Sequence, residues 1–103
     1  MSNVAQTIFQ QVKAGHTGDV SGIHAMMCWG ASKFVTVLVD NMHGLQFSVN
    51  GRKHRGRVQV LLNEGADMYE IRLTTIRGRV LLQREDVFCD ELTALIDHMV
   101  ESD

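Results

Sequence analysis

The sequence predicts an α+β domain: an antiparallel meander of about five strands with N- and C-terminal helices packed on one face. Three observations lead to it. Apolar residues recur at helical spacing near both ends of the chain, and short apolar–polar alternations fill the middle. The alternations are separated by glycine- and asparagine-bearing turns, too short for the crossover that a parallel pair needs. Residues 1–103 form one domain, since a chain of 103 residues can build one core and has little apolar area to spare for a second.

The first helix is predicted over residues 3–14, where Val4, Ile8, Phe9 and Val12 share a face. Ser2 or Asn3 would cap its start, and Gly15 would close it in the left-handed geometry that glycine tolerates. Residues 15–33 carry four glycines that break any pattern, and IHAMMCW within them reads as a short strand or a partly packed loop. KFVTVLVD, residues 33–40, is apolar on both faces and predicts a strand buried on both sides. After the DNMHG turn, Leu45, Phe47 and Val49 alternate with Gln46 and Ser48, the mark of a half-buried strand. Asn50-Gly51 is a hairpin signal, because both residue types accept positive φ. Its partner strand, 57–63, would turn Val58, Val60 and Leu62 inward. NEGAD makes the next turn, residues 68–76 place Tyr69, Ile71 and Leu73 inward, Arg77-Gly78 turns again, and 79–83 is the last strand. The closing helix is predicted from EDVFCDELTALIDHMVES, with Val87, Phe88, Leu92, Leu95, Ile96, Met99 and Val100 as its stripe and Glu85 and Asp86 in its first turn.

Charge is distributed unevenly. The formal net charge is -2, yet residues 52–84 carry eight basic and three acidic residues, and residues 85–103 carry seven acidic residues and no basic one. Such polarity bears on partners and association rates more than on fold. Four of the ten basic residues, Arg52, Lys53, Arg55 and Arg57, sit in NGRKHRGR. They are the candidate phosphate contacts, with Arg77, Arg79 and Arg84 able to join them if adjacent turns gather. The competing reading is a solvated turn that guards a sheet edge. At the acidic end, Asp86, Asp90, Asp97 and Glu101 are spaced by four or seven, and on one long helix they would share a solvent face that docks on a basic partner.

Catalytic and metal-binding patterns are sparse. His16, His24 and Cys28 lie close in sequence, but the second pair of ligands that a structural zinc site needs is missing: Cys89 and His98 stand nine apart, and His43 and His54 fall at turns. No G-x-S-x-G elbow, phosphate loop or dinucleotide fingerprint occurs. No catalytic residue, metal or cofactor is therefore assigned. Two cysteines are too few for a disulfide scaffold, no apolar run approaches the length needed to span a bilayer, and MSNVAQTIFQQVK lacks the basic and apolar regions of a signal peptide. These observations lead us to expect a cytoplasmic protein with no membrane contact.

The runs AMMCWGASKF (25–34), VQVLLNEGADMYEIRLTTIRG (58–78) and DVFCDELTALID (86–97) resemble a group of small hypothetical proteins carried by bacteriophages, prophages and other mobile elements. The similarity spans most of the chain, and LNEGADMYEIRLTTIRG is its most specific part. The NGRKHRGR turn and the Gly/His-rich 15–24 segment depart from the group. The group has no established biochemical activity, so the resemblance carries over no catalytic residue. It implies a setting: an accessory protein of a phage or mobile element. The expected function is binding of a host or phage protein without catalysis, one specific form being inhibition of a host defence system. The alternative is nucleic-acid binding through residues 52–57. An exposed sheet edge or face would also favour a homodimer.

Overall fold

A computed structural model describes residues 3–101. Among them the order is α1 (Asn3–Ala14), β1 (His16–Thr17), β2 (Val20–Ser21), α2 (Gly22–Cys28), β3 (Ser32–Val39), β4 (Met42–Asn50), β5 (Arg55–Asn63), β6 (Met68–Thr74), β7 (Val80–Val87), a 3-10 turn (Cys89–Glu91) and α3 (Leu92–Val100). The expected capping role of Ser2 lies outside the described residues. Strands β3 to β7 form one antiparallel sheet in sequence order, as a chain of short turns requires, and β1 and β2 form a small separate hairpin.

The core lies between one sheet face and the helices. Leu45, Phe47 and Val49 from β4, Val58 and Val60 from β5, and Tyr69, Ile71 and Leu73 from β6 all point to that face, as the alternation requires. Ala5, Ile8 and Val12 of α1 and Leu92, Ile96, Met99 and Val100 of α3 close over them. Trp29, at the end of α2, is fully buried and stacks on Phe47 with ring centroids 6.4 Å apart.

Several local expectations change. IHAMMC is helical: the Ser21 hydroxyl accepts the His24 amide and caps α2, a signal hidden by the surrounding glycines. Gly15 does not adopt positive φ. It is small because the Thr93 side chain of α3 occupies the space a Cβ would take, donating its hydroxyl to the Val12 carbonyl at 2.7 Å. Strand β3 is an edge with one uncovered flank, so Val35 and Leu38 are exposed and the strand is not buried on both sides. The turn after it is tighter than expected: Asp40 and Asn41 have φ of 50° and 65°, the positive pair that a two-residue hairpin demands.

The expected start of the last helix at Glu85 is also corrected. Residues 80–87 continue the sheet, and Val87 pairs with Tyr69 and is buried. Two register shifts bend β7, and Asp86 sits at φ 56°. The helical run starts after Phe88, whose amide is accepted by the Glu91 carboxylate at 3.0 Å. Phe88 and Cys89 are consequently exposed and lie off the apolar stripe.

The far face of the sheet is partly closed as well. Leu61 is fully buried there, where its partner Gly44 leaves room for it. The β3–β4 tip curls across this face, so that Asp40 meets Arg72 of β6 at 2.9 Å, and Arg72 also pairs with the buried Glu70. Burial works to lower the Arg72 pKa, but its hydrogen bonds to Glu70 and Asp40 outweigh that and hold it above its ordinary value.

Candidate interaction surfaces

The basic turn divides into two halves with different surroundings. Asn50-Gly51 is not a two-residue hairpin. Gly51 is buried with Val100 filling the space of a Cβ, and its amide is accepted by the His54 carbonyl at 3.0 Å, closing a four-residue loop. This loop lies on the end of α3. The Lys53 amide donates to the Val100 carbonyl and the Lys53 Nζ to the His98 carbonyl, at 2.8 and 2.6 Å. The Arg52 amide donates to the Glu101 carboxylate at 2.8 Å. A helix end exposes carbonyls without internal partners and carries partial negative charge, so Lys53 serves there as a C-terminal cap. The basic and acidic segments therefore touch each other in the fold; they are not two separate poles.

Arg55 and Arg57 go elsewhere. Together with Lys33 they line a cleft of ≈ 300 Å³, with Ser48, Asn50 and Ile76 on its walls. Register explains the grouping: Asn50 faces Arg55 and Ser48 faces Arg57, so these side chains share the sheet face away from the helices. Among the described residues, no carboxylate forms an ion pair with any of the three cations. Arg77, Arg79 and Arg84 do not line this cleft. His54, buried beside it, donates its ring Nε2 hydrogen to the Arg57 carbonyl at 3.2 Å and so braces the strand.

The acidic residues are dispersed. Asp86 lies in β7, Asp90 in the 3-10 turn, and only Asp97 belongs to α3, with Glu101 just beyond its end. Asp97 turns inward, accepting the Trp29 indole N–H at 2.9 Å and the Thr17 hydroxyl at 3.2 Å. Glu101 holds the basic turn. The four do not share one helix face, because the stretch from Glu85 to Glu101 is the end of a strand, a turn and a shorter helix and not one long helix. Asp103 lies outside the described residues. His16, His24 and Cys28 are exposed, and the described residues contain no group of three His, Cys, Asp or Glu able to hold a metal ion.

A surface missed at the level of sequence is an apolar cleft between α1, α2 and β3. It has a volume of ≈ 220 Å³ and is lined by Phe9, Met26, Ala31 and Phe34. The rings of Phe9 and Phe34 meet edge to face at 5.1 Å and form its floor. Ile23 and Met27 rim it at 52% and 73% exposure, and Lys13 stands at its mouth. Beside it runs the β3 edge, with Leu38 61% exposed. The helical reading of 22–28 was the step needed to find this cleft, since only a helix places Ile23, Met26 and Met27 on one side.

No helix among the described residues is long and apolar enough to cross a membrane. The chain matches no family model, no curated protein and no solved structure.

Proposed function

We propose that this chain is a small non-enzymatic binding protein that seats an apolar segment of a partner protein in the cleft between α1, α2 and β3. The observation that carries the reading is the exposure of Ile23 and Met27 around a floor of aromatic rings. A small domain that leaves methionine and isoleucine in water beside a preformed apolar cleft has the anatomy of a recognition site. The resemblance to phage, prophage and mobile-element proteins supplies the setting, a host cell, and inhibition of a defence protein is the specific form we favour. The test is affinity capture from host extract with the wild-type chain and with Met27→Lys. A protein held by the first and released by the second supports the cleft; a protein held equally by both argues against it.

A second reading rests on the other cleft. Three cations without ion-pair partners, Lys33, Arg55 and Arg57, converge where Ser48 and Asn50 offer hydrogen bonds, a chemistry suited to phosphate groups. A salt titration of binding to random-sequence DNA tests it: affinity falling steeply with salt, and weakened by Arg55→Gln and Arg57→Gln, would favour nucleic acid. Absence of binding at low salt would remove this reading.

A further inference from the structure

The cations of the basic cleft are placed by features that a solvated turn does not need. In the sheet order β3-β4-β5-β6-β7, Arg57 lies on the middle strand, so it guards no edge. Arg55 stands two residues before it and shares its face. Gly56 separates them at φ 152°, and a Cβ on it would come within 2.4 Å of the Thr74 carbonyl oxygen. Glycine is what lets β5 run this close to β6 between the two arginines.

Lys33 reaches the cleft through a bulge. Ser32 pairs with Ser48 and Val35 with Gln46, so three steps along β3 match two along β4. Ser32 thus shares the far face with Ser48, and in an unbroken strand the next side chain would point to the helices. The extra residue and the φ of 57° turn Lys33 to the cleft instead, while Phe34 takes the helix side and packs on Phe47. A lysine at positive φ is uncommon, and strain of this kind concentrates at functional sites.

The lining sets the charge and size of a ligand. Two arginine forks and one ammonium share the cleft, and among the described residues no carboxylate lines it. A phosphodiester within a strand offers a single charge and a pair of free oxygens. A phosphomonoester carries about -1.5 to -2 at neutral pH and three acceptor oxygens, one for each cation. The volume of ≈ 300 Å³ is at the low end of small-molecule sites, which run from about 300 to 1,000 Å³, and suits one nucleotide unit better than a length of strand. Ile76, 70% exposed, gives an apolar wall for the sugar or base, and Ser48 and Asn50 offer hydrogen bonds to their polar edges.

We propose that this cleft binds the phosphomonoester of a nucleotide, free or at the end of a nucleic-acid strand, with Lys33, Arg55 and Arg57 on its terminal oxygens. This rests on the phosphate reading of the cleft and names the kind of phosphate.

Fluorescence anisotropy at low salt tests it with one single-stranded oligonucleotide, carrying a terminal phosphate at either end or hydroxyls at both. A phosphorylated strand is expected to bind about tenfold tighter than the hydroxyl strand, the effect of one added charge-assisted hydrogen bond. Lys33→Gln, Arg55→Gln and Arg57→Gln should each remove most of that preference, and Arg77→Gln, outside the cleft, should keep it. Urea midpoints establish that each variant is folded, and Arg57→Lys, which keeps the charge and loses the fork, should retain part of the preference. Displacement by adenosine monophosphate assigns the site to free nucleotides, and displacement only by the phosphorylated strand assigns it to strand ends; both support the proposal. Equal binding of phosphorylated and hydroxyl strands, both weakened by Arg57→Gln, overturns it and leaves the nucleic-acid reading standing. No binding of any of these probes removes both. A phosphothreonine peptide bound as tightly as the phosphorylated strand also overturns the proposal, by pointing to a protein ligand.

Discussion

The Trp29 indole donates its N–H to the Asp97 carboxylate at 2.9 Å, joining the end of α2 to α3 across 68 positions of sequence. Trp29 is fully buried, and removing the carboxylate takes away the acceptor of its N–H. A hydrogen bond to a charged group contributes about 1.5–3 kcal/mol. Asp97→Ala is therefore expected to lose about that much stability in urea denaturation. Asp97→Asn keeps an acceptor oxygen and should lose less. Equal stability of the alanine variant and the wild type would show that the bond contributes nothing.

Arg72 carries a second prediction. It is the partner of the buried Glu70, while the carboxylate of Asp40 remains largely in water. Arg72→Met leaves Glu70 buried with an uncompensated charge, at a cost of about 3–5 kcal/mol. The double variant Arg72→Met, Glu70→Met removes the stranded charge along with its partner and should recover most of that loss. A double variant no more stable than the single one would mean that the cost lies in side-chain packing.

The sheet was legible because its signal is local. Residues such as Leu45, Phe47 and Val49 alternate at period two whatever lies beyond them, and the buried face follows from that alone. What eluded the sequence depends on contacts far along the chain. Val87 reads equally well as the first residue of a helical stripe, and only its pairing with Tyr69 makes it a strand. Gly15 and Gly51 look like turn glycines, yet both are small because α3 lies against them. The four charges of NGRKHRGR were visible, but their division was not: Lys53 meets a carbonyl 45 positions away, while Arg55 and Arg57 face Lys33 through strand register. The apolar cleft was hidden for the same reason, since it assembles from three elements, one of which has only seven residues.

Gly51 offers a direct test of the docking between the basic loop and α3. A methyl group at this position meets Val100, and forcing extra volume into a packed contact costs about 1–3 kcal/mol. Gly51→Ala should also speed amide exchange at Arg52 and Lys53, whose N–H groups bond to Glu101 and Val100. Gly65→Ala is the control: its φ is not positive and its surroundings are open, so stability should hardly change. Slow exchange at Lys53 in the Gly51 variant would mean that the loop does not depend on this close approach.

Tyr69 gives the pH dependence. It lies in the core, and its burial raises its pKa above the ordinary 10.0, with Gln11 nearby working in the opposite sense and not cancelling the effect. The unfolded chain, with the ordinary value, therefore releases this proton first. Above pH 10.0 the unfolded state binds fewer protons than the folded one, and stability falls as pH rises through that window. Below it both states hold the proton, and the group contributes no slope. Tyr69→Phe removes the ionisation and keeps the ring, so its urea midpoint should decline less steeply with alkaline pH than the wild type, while the two curves run parallel below pH 10.0. Identical slopes above that value would show that Tyr69 ionises alike in the folded and unfolded chain.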